Sequence, residues 1–181
     1  MTDLLIPEVS PVKGCLQKMA AALPSRQDEQ VVYHLCAGEH RVALNERIGS
    51  PMRLAWSGAI ACTHCGRATK KSFAQGYCYP CFKRLAQCDT CIVKPETCHY
   101  FAGTCREPEW GEKNCMQPHI VYLANSSGLK VGITREKNIP HRWIDQGAVQ
   151  ALPIIKVPIR LNSGQVEIIL SQFVADKTNW R

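Results

Sequence analysis

Ala61-Cys-Thr-His-Cys-Gly-Arg-Ala-Thr-Lys-Lys-Ser-Phe-Ala-Gln-Gly-Tyr-Cys-Tyr-Pro-Cys81 carries two Cys-x2-Cys pairs, Cys62 with Cys65 and Cys78 with Cys81, separated by twelve residues. Two residues between cysteines let both thiolates of a knuckle turn onto one ion, and two knuckles supply the four tetrahedral sulfurs a structural Zn2+ prefers. The spacing therefore predicts a closed zinc site held by Cys62, Cys65, Cys78 and Cys81. A disulfide framework is the competing reading. It is poorly served by an odd total of eleven cysteines and by a start, Met1-Thr-Asp-Leu-Leu-Ile-Pro, without the basic and apolar regions of a secretion signal.

Working outward, residues 61–117 hold nine of the eleven cysteines, few apolar residues and many turns. Such a segment cannot fold on apolar burial alone, so metal is expected to hold it. A second set follows the first: Cys88-x2-Cys91, then Cys98, His99, Cys105, Cys115 and His119. Cys88, Cys91, Cys98 and Cys105 are the expected ligands of a second zinc, with Cys115, His99 and His119 as substitutes. An iron–sulfur cluster would also accept four cysteines and would colour the protein. Between the first two knuckles, Arg67, Lys70 and Lys71 with Phe73 and Tyr77 suit contact with phosphates and bases. Equally, the loop could be solvated and its aromatics could cover the zinc sulfurs.

The net charge of +7 is uneven. Residues 1–60 carry six basic and six acidic side chains, residues 61–117 eight and five, and residues 118–181 eight and four. Each four-thiolate zinc site adds −2, so two such sites lower +7 to +3. The remaining bias permits a nucleic-acid partner without demanding one. At 45% hydrophobic residues the chain is not disordered, and at 7% aromatic no single large core is expected. The absence of a long apolar run predicts no membrane span, and the reduced cysteines predict a cytoplasmic protein.

Three regions are expected: a β-rich segment at 1–60, the zinc-binding region at 61–117, and a small α+β domain at 118–181. In the first, residues 15–23 read as a short helix stopped by Pro24. Residues 30–44 read as two strands about a turn at Gly38-Glu-His, and residues 52–61 as a partly alternating strand. Cys15 and Cys36, outside any spaced pair, read as buried thiols. In the third, His119-Ile-Val-Tyr-Leu-Ala and Leu129-Lys-Val-Gly-Ile-Thr read as strands about a turn. A short helix starts near Pro140, a proline-bearing edge strand covers Leu152–Arg160, and a helix capped by Asn162 or Ser163 follows.

That β-β-α-β-α order resembles the GIY-YIG endonuclease superfamily over residues 118–181. Val121-Tyr122 stands where the first motif would be, and Lys130-Val-Gly132, continuing to Thr134, where the second would be. The whole chain also looks like a bacterial family of cysteine-rich proteins with this ending. The superfamily resemblance implies phosphodiester hydrolysis. Glu167 would hold Mg2+ against the scissile phosphate, Arg142 would neutralise phosphoryl charge, and Tyr122 would orient or deprotonate the attacking water. Asn179 matches a later asparagine of related nucleases, and Gly132 would allow close backbone approach. Two departures stand out: Lys130 replaces a motif tyrosine, and Ile120 replaces a motif glycine. A lysine binds phosphate as a point charge, which favours retained nucleic-acid binding over retained hydrolysis. The ending at Trp180-Arg181 suggests a fragment or a very short final element. Three functions compete: a metal-dependent nuclease, a non-catalytic DNA- or RNA-binding protein, and a zinc-stabilised module for a protein partner.

Overall fold

Gly38, with φ +57°, turns the apolar run from Val32 to Ala43 back on itself, in a conformation that a Cβ would strain. The computed structural model describes residues 11–23 and 30–174. Within them, β1 (Ala20–Ala22), β2 (Val32–Ala37) and β3 (His40–Ala43) form an antiparallel sheet in that order. The expected turn at Gly38 is therefore present. The expected helix at 15–23 is not: its alanines lie in β1. Gly14 lies against the Ala37 backbone, where a Cβ would come within 2.6 Å. Gln17 N–H donates to Cys36 O and Gly38 N–H to Cys15 O, each at 2.9 Å. The open edge of β2 thus captures the segment and overrides the helix preference of alanine. Cys36 is buried as expected, but Cys15 is exposed, because the whole stretch 11–19 lies at the surface. Residues 52–60 form no strand either. Leu54 and Trp56 are exposed there, and an alternating segment without a partner edge has no ladder to join. Pro24 lies outside the described residues.

The chain divides into two compact units, one ending at Gly58 and one starting at Ala59. The second opens with the two knuckles and α1 (Tyr79–Arg84), which has a proline in its first turn. Four 3-10 turns follow, Ala86–Cys88, Thr90–Ile92, Pro95–Thr97 and Tyr100–Ala102, and then α2 (Pro108–Asn114). Next come β4 (His119–Asn125), β5 (Leu129–Arg135), α3 (His141–Asp145), β6 (Gln150–Val157) and α4 (Arg160–Leu170). The sheet is antiparallel in the order β5-β4-β6. β4 lies in the middle and is almost entirely buried. β6 is an edge strand, where Pro153 costs no ladder bond. Its pairing shifts so that Val121 faces Ile155 but Tyr122 faces Pro153, leaving Ile154 as a bulge.

α4 begins at Arg160, earlier than the capping pattern suggests, and Ile159 stands at its N-cap. Ser163 does not cap. It is fully buried, and its hydroxyl donates to Arg160 O at 2.7 Å. The reason is packing: Ser163 and Gly164 form the face laid on Pro95 and Glu96, where a Cβ at 164 would come within 2.6 Å of the Pro95 Cβ. α4 also packs on β4 and β5, so it joins the cysteine-rich turns to the sheet. The architecture is mixed α+β with two small three-stranded sheets. Among the described residues no helix is long and apolar enough to cross a membrane.

Candidate metal centre and basic groove

The knuckles bring Cys62, Cys65, Cys78 and Cys81 together, their sulfurs all within 4.8 Å of one another. Four thiolates at about 2.3 Å from one ion would stand about 3.8 Å apart. Cys65 Sγ and Cys78 Sγ are 3.7 Å apart, so this set fits Zn2+. Local hydrogen bonds make the turns. Gly66 N–H donates to Cys62 O and Cys62 N–H to Arg67 O, each at 2.9 Å, and Gly66 takes φ +70°. Opposite, Thr63 N–H donates to Gly76 O at 2.8 Å, and a Cβ on Gly76 would strike the Thr63 methyl at 2.6 Å. The Cys62 thiol is held down at about 6, first by the Cys78 backbone N–H and then by those of Cys65 and His64. Burial pushes Cys81 up to about 12. Cys62, Cys78 and Cys81 are buried, with Tyr77 and Phe82 packed on them. Phe73 stacks on Phe82 at 5.5 Å between centroids and meets Tyr79 at 5.4 Å, with Lys71 over its ring. Of the two loop aromatics, Tyr77 packs on the sulfurs directly, whereas Phe73 reaches them only through the Phe82 ring of α1.

The expected second set divides. Cys88 packs with Cys62, Cys78, Cys81 and Leu85, whereas Cys91, Cys98 and Cys105 line a separate cavity together with Cys115. Successive 3-10 turns with extended Asp89 between them turn Cys88 and Cys91 to different neighbourhoods, which spacing alone does not reveal. Asp89 Oδ2 pairs with Arg106 Nε at 2.7 Å and lies 3.4 Å from His99 Nε2. His119 is fully buried; its Nδ1 donates to Gln117 O at 2.7 Å, and Nε2 has no hydrogen-bond partner.

Along β5, between α3 and α4, runs an open groove of about 830 Å3. Lys130, Arg135, Arg142 and Arg160 line it with Asp145 and Glu167. Lys130, Arg142 and Glu167 thus come to one surface, from a strand and two helices. Tyr122 does not join them. Its side chain is fully buried beneath α3, edge-on to Trp143 at 6.0 Å. The amide oxygen of Gln146, oriented to face the donors, accepts from Tyr122 Oη at 2.7 Å and from Arg142 Nε at 2.9 Å. Burial raises the Tyr122 pKa, and Arg142 only partly opposes it. A phenol so placed holds the Gln146–Arg142 pair, and it has neither the exposure nor the acidity to deprotonate a water in the groove. Asn179 lies outside the described residues.

Residues 49–181 match the family described as Protein of unknown function (DUF2797). The chain belongs to this family. The DUF2797 match spans both knuckles, the four-thiol cavity and the groove, and it includes the last residues before Ala59. No curated protein and no solved structure matches the chain. Within this DUF2797 protein, reading the sequence missed Gln146, Arg135 and Arg160 as groove residues. Gln146 had one usable signal, its position four residues after Arg142 on the same short helix face. Arg135 and Arg160 had none, because only tertiary packing brings the end of β5 to the start of α4.

Proposed function

We propose that this is a zinc-containing nucleic-acid-binding protein whose groove along β5 takes a phosphate backbone. One observation carries the reading: four basic side chains, Lys130, Arg135, Arg142 and Arg160, share one concave surface with only two acidic ones. Concave walls focus such a field on a polyanion. The knuckle cysteines play a structural part, since four thiolates leave a zinc ion no open position for chemistry. Burial of Tyr122 favours binding over hydrolysis. The test is fluorescence anisotropy with labelled single-stranded DNA, duplex DNA and RNA across a salt series. Binding should weaken with a log–log slope of about −0.7 to −0.9 per neutralised phosphate. Lys130→Ala and Arg142→Ala should each weaken it on every sequence tested. No binding at low salt, or binding indifferent to salt, overturns the reading in favour of a protein partner.

A second reading, Mg2+-assisted phosphodiester hydrolysis in the manner of the GIY-YIG nucleases, is favoured by Glu167 and Arg142 lining the same groove. Glu167 would hold the ion and Arg142 the phosphoryl oxygens. Cleavage of branched or nicked substrates that needs Mg2+ and vanishes in Glu167→Ala supports it. Cleavage that persists in that variant rejects it.

A further inference from the structure

Cys91, Cys98, Cys105 and Cys115 line one cavity of about 20 Å3. Their spacings, six, six and nine intervening residues, contain no Cys-x2-Cys pair, so only the fold brings them together. Cys91 comes from the Thr90–Ile92 turn, and Cys98 closes the Pro95–Thr97 turn. Cys105 precedes α2, and Cys115 is its C-cap. Gly111 lets α2 approach: a Cβ there would already touch Cys105 Sγ at 3.4 Å and crowd the Tyr100 ring at 3.1 Å.

A second observation concerns charge. Arg160 is half-buried; its Nε is buried without a hydrogen-bond partner, and a terminal nitrogen donates to Ile92 O at 2.6 Å. A buried guanidinium needs negative charge beside it. Its backbone N–H donates to Cys115 O at 2.9 Å, and Ile92 follows Cys91 in the chain, so Arg160 lies beside two of the four thiols. Four thiolates around a divalent cation carry −2, a charge that would suit the neighbouring guanidinium.

The competing donor set is Asp89, Cys91 and His99, whose ligand atoms lie within 4.8 Å of one another; no three of the four thiols stand so close, so an ion among them would draw the sulfurs inward across the cavity. Its polar groups are already engaged. Asp89 Oδ2 holds Arg106 at 2.7 Å, and His99 Nδ1 lies 2.8 Å from Thr104 Oγ1. Cavity size decides between a single ion and an iron–sulfur cluster. One water needs about 10–15 Å3 by the same measure, so the space suits one ion and is too small for a cluster of irons and sulfides.

We propose that Cys91, Cys98, Cys105 and Cys115 form a second four-thiolate site for one Zn2+, with the half-buried Arg160 as its neighbouring cation. The proposal shares Arg160 with the groove but does not rest on nucleic-acid binding. Elemental analysis of the full chain, purified without chelator, tests it. The wild type and Cys88→Ser should each hold two zinc ions per chain; Cys98→Ser and Cys115→Ser should each hold one. Cys65→Ser, which breaks only the first site, should also hold one. One zinc in the wild type, two in Cys115→Ser, or iron with visible absorbance overturns the proposal. Should the variants fail to fold, alkylation of the native wild type gives a second measurement. The half-exposed Cys91, Cys98 and Cys105 should resist reagent while exposed Cys15 reacts, and should become reactive once chelator removes the metal. Reaction at the rate of Cys15 with zinc bound counts against the site.

Discussion

A methyl group at position 132 would sit 2.8 Å from Cζ and Oη of Tyr122, across the β4–β5 pair. Glycine here is what allows a fully buried tyrosine to lie flat under α3 and reach Gln146. Gly132→Ala should therefore cost about 1–3 kcal/mol by overpacking, read as a lower urea midpoint with unchanged slope. His119 sets a pH dependence. Burial, helped by Arg160 and Arg135, pushes its pKa from 6.5 down to about 4. The unfolded chain then binds more protons than the folded one between those values. This contribution to stability is complete above about pH 6.5 and is lost as pH falls toward 4. His119→Gln should flatten that part of the curve, measured as urea midpoints across the window. An equally steep fall in the variant would assign the acid sensitivity elsewhere, for instance to the zinc thiolates.

At the scale of elements, the knuckle segment lacks an apolar core of its own beyond the ring stack on its sulfurs. Lys70 and Lys71 are exposed on a loop that the knuckles hold in a fixed shape; metal removal should loosen that loop, and limited trypsin digestion followed by mass spectrometry should show faster cleavage there after chelation. A second device is the Arg106–Glu107 staple. Arg106 pairs with Asp89 and donates to Phe82 O at 3.0 Å, while Glu107 accepts the Ala86 N–H at 2.7 Å. These bonds tie the end of α1 to the start of α2. Arg106→Ala should cost about 1–3 kcal/mol, since it leaves a carboxylate and carbonyls without their donor. Thermal unfolding of the zinc-loaded protein measures it, and an unchanged midpoint would mean that water replaces the guanidinium.

For the whole molecule, the division at Gly58 predicts that a chain starting at Ala59 folds alone, with its zinc and its β-sheet circular dichroism intact. It should also keep the salt-dependent binding, because every groove residue lies in that unit. Loss of binding in a folded fragment would show that residues before Ala59 contribute to the surface. Two zinc thiolate centres would leave the full chain near +3, so the proposed attraction for a polyanion would rest on the local excess in the groove and little on net charge.

Some of this was legible in the residues themselves. Cys62, Cys65, Cys78 and Cys81 could be grouped from spacing alone, because a two-residue interval fixes the reach of both thiolates whatever surrounds them. The strands about Gly38 and the β-β-α-β-α order after Cys115 also follow from local turn chemistry and periodicity. The rest depended on partners far away in the chain. The stretch 15–23 has helical composition, yet Ala20–Ala22 within it pair as a strand because an open sheet edge lies beside them. Cys88 and Cys91 share a motif yet face different clusters, and Cys115 joins a thiol set that no spacing rule connects. Tyr122 matched a motif and proved buried, while Lys130, Arg142 and Glu167 met in one groove. Spacing encodes what a few adjacent bonds can reach. Which side chains share a cavity, and which are withdrawn from water, is decided only when helices and strands pack.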